Sequence, residues 1–378
     1  MLLGRSFRIG QVLGIEVRLD GSWFLVSVLI AWSLASLFGA NPALHGFSQG
    51  PLLVMGAMAA LLFFATLLAH ELSHGLVARR KGIEVESITL FIFGGVASLK
   101  GDPQGPGDEF QIAIVGPATS LVCALVLFAV SRVAAASHVA PAAVIFSVIA
   151  ASNVLLAAFN MLPGFPLDGG RVFRSAIWKA TGDLVKATRV AALAGKVVAA
   201  LIAMRGIYIV VFEHDLFGLV YVMMAMFLIQ AGTATYRNVL VRRSVEGVSV
   251  ADVMTPTPIT VAGNVSVAEA VDSHFNHHRH SAFPVVGYGD HIEGIVTLSA
   301  IEAIPAQQRE HLVVRQVMLA RQPTMITDPT EKMTSLLDRV PANPAGRFMV
   351  MDAEKLVGIL TPADISRYLQ LHPAKERT

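Results

Sequence analysis

The stretch PLLVMGAMAALLFFATLLAHELSHGLVA, residues 51–78, decides the fold, because an apolar run of this length can cross a bilayer as one helix. It contains the pentapeptide HELSH, in which His70 and His74 lie one helical turn apart on one face. Two imidazoles at that spacing can bind one Zn²⁺, with Glu71 beside them as a general base for a water molecule. The alternative is a structural pair of histidines on a core helix, with their hydrogen bonds satisfied. Ionisable groups inside a spanning helix are costly and usually functional, which favours a zinc hydrolase inside a membrane.

The composition is that of a membrane protein with a soluble appendage. Hydrophobic residues make up 54% of the chain, charged residues only 15%, and the mean hydropathy is +0.61. The apolar excess ends near Ser244, after which charges alternate with short apolar runs. Runs of about twenty apolar residues are long enough to span a bilayer. They predict six spans, at Ser22–Phe38, Pro51–Ala78, Phe110–Ser131, Ala140–Leu162, Val190–Phe212 and Leu216–Gly232.

The charges of the loops predict the orientation of these spans. Fifteen Lys and Arg residues flank the spans on one side, against Arg132 alone on the other. Cytoplasmic loops carry the excess of positive charge. We therefore expect a multi-pass protein of the plasma membrane with both termini in the cytoplasm. The fifteen residues are Arg5, Arg8, Arg18, Arg79, Arg80, Lys81, Lys100, Arg171, Arg174, Lys179, Lys186, Arg189, Arg237, Arg242 and Arg243.

A catalytic zinc site needs a third protein ligand, and Asp168 is the best candidate. It lies in NMLPGFPLDGGR, Asn160 to Arg171, where prolines and glycines end the fourth span and allow close backbone approach. A carboxylate there can reach back into the helical bundle. Asp is also a preferred N-cap, and a helix begins near Gly170. From the residues alone, zinc ligand and helix N-cap are equally possible roles for Asp168.

Three motifs together resemble the site-2 protease family of intramembrane zinc metalloproteases. They are HELSH, the FGG of Phe93 to Gly95, and FNMLPGFPLDGG, Phe159 to Gly170. The resemblance covers roughly residues 1 to 240. It implies that His70, His74 and Asp168 bind zinc and that Glu71 is the catalytic base.

The resemblance also implies roles for residues to which motif spacing assigns no role. Asn160 is expected to orient substrate or stabilise the oxyanion. Asn153, seven residues earlier on the same helix face, is a weaker candidate for substrate binding, since polar residues in spans often serve as interhelical hydrogen bonds. The segment Glu86 to Leu99 resembles a membrane-dipping β-hairpin. It would hold substrate as an added strand near Gly94 and Gly95, unless it is an ordinary cytoplasmic hairpin.

The soluble region contains an internal repeat. A shift of 64 residues aligns Val253-Met254 with Val317-Met318, and the segment Gly294 to Thr297 with Gly358 to Thr361. Two copies of one α/β unit are implied. The elements VMTP at Val253, FPVV at Phe283 and the repeated GI(V/L)T resemble tandem CBS modules, which pair into one regulatory domain.

Adenine nucleotide is the ligand that this second resemblance implies. Thr361 and Asp364 match the family's phosphate and ribose contacts, whereas the first module has Ala300 where the Asp would be. A domain that binds no ligand is the alternative. CBS pairs often associate face to face, so a homodimer is expected. The soluble part is slightly acidic, with 15 Asp and Glu against 11 Lys and Arg from Ser244 onward, which speaks against a nucleic-acid partner.

The sequence thus predicts a polytopic α-helical membrane protein with about six spans, a small membrane-associated β-hairpin and a cytosolic α/β tandem CBS domain. The expected limits are 1–243 for the metalloprotease domain, 244–247 for a linker, 248–310 and 311–371 for the modules, and 372–378 for a tail. The expected activity is zinc-dependent cleavage of single-pass transmembrane proteins within the lipid bilayer, regulated by the CBS pair. The alternatives are a transporter or channel gated by that pair, and an inactive homologue that acts as a binding module.

Overall fold

The computed structural model describes residues 6–92, 94–278 and 280–372, so Phe93 of the FGG motif and the tail after residue 372 lie outside the described residues. The described chain divides into two units between Val239 and Leu240. The first unit contains the apolar helices, the last of them up to Val239, and the second contains the repeat. The predicted limits of the linker and of each module stay predictions.

Six helices of the described chain are long and apolar enough to cross a membrane, which confirms the six predicted spans. The helix expected near Gly170 is a seventh, amphipathic helix between the fourth and fifth spans, and it begins at Asp168. The helices are α1 (Gly21–Gly39), α2 (Gln49–Arg80), α3 (Pro106–Ala136), α4 (Ala140–Asn160), α5 (Asp168–Thr181), α6 (Leu184–Phe212) and α7 (Gly218–Ser244).

The expected hairpin is part of a larger sheet than the sequence predicted. Its strands are β1 (Ser6–Val12), β2 (Ile15–Asp20), β3 (Glu84–Phe91) and β4 (Gly94–Lys100), in the order β1-β2-β3-β4. β1 and β2 form an N-terminal hairpin whose turn, Leu13-Gly14, has positive φ angles of 52° and 78°. β2 pairs in parallel with β3, and β3 pairs with β4 in antiparallel fashion. β4 is therefore an edge strand.

Small residues allow the helices of the first unit to pack closely. A Cβ added to Gly56 of α2 would lie 2.3 Å from the Ala31 carbonyl oxygen of α1, and one added to Gly206 of α6 would lie 2.6 Å from the Gly218 carbonyl oxygen of α7. Association inside lipid depends on such van der Waals fit, because lipid offers no hydrophobic driving force. This packing holds the backbone of α2, which carries HELSH, against its neighbours.

The second unit consists of short elements around two small sheets. Its strands are β5 (Thr255–Pro256), β6 (Val261–Ala262), β7 (Ala282–Val286), β8 (Ile292–Thr297), β9 (Leu319–Ala320), β10 (Ile326–Thr327), β11 (Phe348–Asp352) and β12 (Lys355–Leu360). Its α-helices are α8 (Val267–Ala270), α9 (Asn276–His278), α10 (Leu298–Glu302), α11 (Val314–Val317), α12 (Met333–Arg339) and α13 (Pro362–Leu371), with a π-helical turn at Val271–Phe275.

The two sheets exchange their equivalent first strands. β5, from the first half, pairs with β12, whereas β9, from the second half, pairs with β8. A shared core joins the halves, with Ile295 and Met325 fully buried in it. The repeat found in the sequence therefore folds as one interlocked pair.

Candidate metal centre

Three side chains from two helices meet inside the first unit. His70 and His74 come from α2, and Asp168 is the first residue of α5. Asp168 Oδ2 lies 3.1 Å from His70 Nε2 and 3.2 Å from His74 Nε2, and the two Nε2 atoms are 3.2 Å apart. Both imidazoles are buried. Among the described residues this is the one cluster of His, Cys, Asp or Glu with the geometry of a metal site.

The spacing of these atoms fits tetrahedral zinc. With Zn–N and Zn–O bonds of about 2.0 to 2.1 Å, tetrahedral geometry places neighbouring ligand atoms about 3.3 Å apart. The three observed separations are within 0.2 Å of that value. Two histidines and one carboxylate are also a ligand set that catalytic zinc uses, with the fourth position left for water or substrate.

Helix α3 holds both imidazoles in the orientation that a metal requires. The Nδ1 of His70 lies 2.9 Å from Ser120 Oγ, and the Nδ1 of His74 lies 2.5 Å from the Ile112 carbonyl oxygen. A carbonyl can only accept, so His74 Nδ1 donates and its Nε2 is left with a free lone pair. Such outer contacts fix the tautomer and the ring of a metal-binding histidine.

Gly116 of α3 leaves the space beside the imidazoles open. A Cβ built there would lie 2.1 Å from His74 Nε2 and 2.7 Å from His70 Nε2. The first distance is that of a Zn–N bond. Only glycine at this position allows both α3 and a metal ion to approach the two rings.

Asp168 acts as part of the cluster and not as a helix cap. The N-cap of α5 is Leu167, and no side chain caps this helix end. Burial raises the pKa of the Asp168 carboxyl, but the close contacts with the imidazoles of His70 and His74 outweigh it and leave the pKa below its ordinary value. Asp168 is thus held as a carboxylate, the form that binds metal.

The cluster opens into a cavity of about 320 Å³ that α2, α3, α4, α5, α7 and the β3–β4 hairpin line together. Glu71, Gly94, Gly95 and Asn160 all lie on its wall. β4 contacts Glu71 directly, since a Cβ on Gly95 would lie 2.4 Å from Glu71 Cγ. The cavity therefore brings most of the predicted site residues together.

Asn153 lies elsewhere, between α2 and α4. It is fully buried, and its amide donates to Thr66 Oγ1 at 3.0 Å and to the Ile149 carbonyl at 2.9 Å. Asn153 is not among the residues that line the cavity. Its side chain makes the interhelical contact that was the alternative for this residue, and its role in substrate binding stays a prediction.

A buried ion pair joins α3 to α5 next to the cluster. Glu109 of α3 has no exposed surface, and its Oε1 accepts from Arg174 Nε at 2.7 Å and from a second nitrogen of the same guanidinium. Arg174 also lies over the Phe165 ring, 4.9 Å from its centre. The sequence indicated Arg174 only as a loop charge, and Glu109, Gly116 and Ser120 were not predicted. The signal present was a Gly and a Ser within the third apolar span and a Glu directly before it.

In the second unit, Thr361 and Asp364 form the first turn of α13. Asp364 Oδ2 accepts from the Thr361 amide at 2.9 Å and from Thr361 Oγ1 at 2.6 Å, while Asp364 Oδ1 accepts from Thr255 Oγ1 at 2.8 Å. The equivalent Thr297 of the first module caps α10 through the Ala300 amide. The two residues are therefore adjacent, and the first module has no matching carboxylate.

Comparison with known proteins finds matches over nearly the whole chain. Residues 58–139 and 132–205 match the family described as Peptidase family M50, and residues 250–303 match the CBS domain. A Mycobacterium tuberculosis protein named as a candidate zinc metalloprotease, Rip3, is 34% identical over 96% of this chain and 93% of its own length. A zinc metalloprotease of Methanocaldococcus jannaschii is 27% identical over 98% of both chains.

Among solved structures, a site-2 protease from Methanocaldococcus jannaschii aligns with 61% of this chain and 94% of its own, at 24% identity and a TM-score of 0.41. The CBS domain of a bacterial Mg²⁺ transporter of the CNNM/CorC family aligns with 35% of this chain and 97% of its own, at 15% identity and a TM-score of 0.32.

Proposed function

The chain belongs to peptidase family M50 and is a multi-pass zinc metalloprotease of the site-2 protease type, and from this membership we propose that it cuts single-pass transmembrane proteins within their membrane-spanning segments. Its substrates are membrane proteins in a lipid environment, as the family implies. The proposed ligands of zinc are His70, His74 and Asp168, and the proposed base is Glu71. The proposed location is the plasma membrane, with both termini in the cytoplasm.

One observation supports this proposal above the others. Three ligand atoms lie 3.1 to 3.2 Å from one another, and they open into the same cavity as Glu71. A transporter or channel needs no general base beside two metal-binding histidines. The residues therefore favour hydrolysis.

The metal ion and the protein side chains each supply part of the chemistry. Zn²⁺, when bound, supplies a Lewis acid that polarises the scissile carbonyl and lowers the pKa of a water molecule. Glu71 takes a proton from the attacking water and passes it to the leaving amine. Asn160, on the cavity wall, donates a hydrogen bond to the scissile carbonyl as negative charge develops there.

The edge strand β4 is the proposed site of substrate binding. A peptide bond in a transmembrane helix is shielded until the helix unwinds, and the freed backbone groups must then find partners, because each orphaned group costs several kcal/mol in lipid. β4 has an open edge, and Gly94 to Ala97 line the cavity next to Glu71. An unwound substrate would add to β4 as a further strand.

The test is zinc content per chain together with cleavage of a model transmembrane peptide in detergent. Glu71→Gln is expected to keep zinc and lose cleavage, because it removes the base and no ligand. Asp168→Ala is expected to lose both. Asp183→Ala is the matched control, since within the described residues the Asp183 carboxylate accepts hydrogen bonds only from the first turn of α6. A wild-type protein without zinc would refute the proposal, and so would a Glu71→Gln variant that still cleaves.

The CBS pair is the proposed regulator, through an adenine nucleotide bound at Thr361 and Asp364, and through face-to-face dimerisation. A carboxylate offers about four acceptor sites. Asp364 uses three of them within the chain, which leaves room for one ribose hydroxyl.

AMP and ATP titrations of the full chain test this regulation. Asp364→Asn is expected to weaken nucleotide binding, whereas Asp328→Asn is not, although Asp328 makes a similar turn with Thr330. If the wild type binds neither nucleotide, or if both variants behave alike, the nucleotide site is wrong. Sedimentation of the detergent-solubilised chain measures the proposed dimer.

A further inference from the structure

Arg171 is a charged residue on the wall of the metal-site cavity to which the mechanism gives no role. It follows Asp168 by three residues on α5, so both side chains lie on one face of that helix. Its side chain is 22% exposed, while the neighbouring Glu109 has no exposed surface. Arg171 therefore has access to a molecule in the cavity.

The carboxylate beside Arg171 on α3, that of Glu109, binds the neighbouring Arg174 and makes no hydrogen bond to Arg171, although its Oε2 has no partner among the described residues. Arg174 binds Glu109 Oε1 through two nitrogens, whereas Arg171 Nε lies 4.0 Å from the same oxygen, beyond hydrogen-bonding distance. Within the described part of the chain, the Arg171 guanidinium makes no side-chain hydrogen bond. Two guanidiniums thus share one negative charge.

The other charges of the site do not compensate the excess positive charge of the two guanidiniums. Asp168 and Glu71 carry two negative charges, which a divalent metal ion balances. Glu109 balances Arg174. The site therefore keeps one positive charge in excess, in a largely buried position inside a membrane protein, where such a charge is expensive and usually functional. The site therefore has room for one anionic group of a ligand.

Peptide hydrolysis supplies such a group. Water adds to the carbonyl carbon, the C–N bond breaks, and the fragment on the N-terminal side acquires a carboxylate while the other leaves as an amine. A guanidinium is a planar fork of N–H donors that matches a carboxylate with two parallel hydrogen bonds. We infer that Arg171 binds the newly formed carboxylate of the N-terminal cleavage product. This inference rests on the proposed function.

The test compares binding of two labelled peptides to the zinc-loaded full chain in detergent. Both carry the sequence on the N-terminal side of a cleaved bond, one with a free carboxylate and one with a carboxamide. The wild type is expected to prefer the carboxylate, and Arg171→Gln to reduce this preference about tenfold, the size of a charge-assisted hydrogen bond. Lys179→Gln, an exposed cation on the same helix, is the control and should retain the preference.

The outcomes separate this inference from the proposed function, since binding is measured without cleavage. An unchanged preference in Arg171→Gln, at equal zinc content, overturns the role of Arg171 and leaves the protease intact. A loss of zinc with equal weakening of both peptides makes Arg171 structural, which also overturns it. A wild type that binds zinc and cleaves, yet binds both peptides equally, contradicts the inference alone.

Discussion

Gly116 controls, at the scale of one residue, whether a metal ion fits between the helices. The added methyl of Gly116→Ala would lie within bonding distance of His74 Nε2, where the ion has to lie. We predict a fall in zinc affinity of more than about 100-fold, beyond the loss usual for an outer-shell change. Zinc per chain, measured after purification and dialysis, checks it.

Gly107→Ala is the matched control for that prediction, because Gly107 lies on the same helix and a Cβ there meets nothing within 4 Å. It should retain zinc. Full zinc in Gly116→Ala would mean that the imidazoles and α3 can move apart freely, contrary to the close packing seen here.

Ser120 contacts Nδ1 of His70, the ring nitrogen that does not take part in the metal cluster. When Nε2 binds a metal, Nδ1 carries the proton and donates it to Ser120 Oγ, 2.9 Å away. Ser120→Ala leaves that buried donor without its partner, so we predict zinc binding about 10- to 100-fold weaker. Competition with a chelator of known affinity measures the change. Ser152→Ala is the control, since in the part of the chain that the structure describes the Ser152 hydroxyl bonds only to its own helix; equal effects in both variants would exclude a specific role for Ser120.

The residues that the sequence could predict are those whose chemistry is local. His70, Glu71 and His74 share one helical turn, so donor type and spacing alone indicate a metal. The sequence did not decide whether Asp168 is a zinc ligand or a helix N-cap, because its partners come from a helix 94 residues away. Gly116 and Ser120 could not be found, since small residues are common in spans and only the tertiary fold reveals which helix faces the imidazoles.

At the scale of elements, the Glu109–Arg174 pair ties the helix that carries Asp168 to the helix that supports the imidazoles. Glu109→Gln leaves the Arg174 cation buried without its partner. Breaking a buried pair in this way costs about 3–5 kcal/mol. We predict a large loss of thermal stability in the first unit, together with weaker zinc binding because α5 shifts. Thermal unfolding of the zinc-loaded chain in detergent measures it.

The pair Arg321–Glu354 is the control for this prediction, because Glu354 is 83% exposed. Breaking an exposed pair with Arg321→Gln should cost about 0–1 kcal/mol. The double variant Glu109→Leu with Arg174→Leu should recover part of the loss, since it removes the unpaired charge. A Glu109→Gln variant as stable as the wild type would show that the pair does not hold α5.

The elements themselves were only partly predictable. The long helices follow from apolar runs, which need no partner to be recognised. The strands β1 and β2 were missed, although Ile15 and Val17 alternate as buried residues after the Leu13-Gly14 turn. β2 finds its parallel partner β3 only after two complete spans, so the pairing that stabilises these strands is invisible in a local window.

At the scale of the molecule, the gapless 64-residue repeat could predict two similar modules but not their exchange of strands. β5 and β9 are two residues long, too short to predict from pattern. Each completes the sheet of the other half. A variant that weakens one half should therefore destabilise both.

The orientation of the whole chain in the membrane can be measured with its single cysteine removed. The loop charges predict that the turn between α3 and α4 faces the outside and that the CBS pair lies in the cytoplasm. In a Cys123→Ala background, an impermeant maleimide should label Ser137→Cys in intact bacterial cells. It should label Ser335→Cys only after lysis; both positions are exposed. The reverse pattern would place the fifteen loop cations outside, against the positive-inside bias, and would put the CBS pair beyond the reach of cytoplasmic nucleotide.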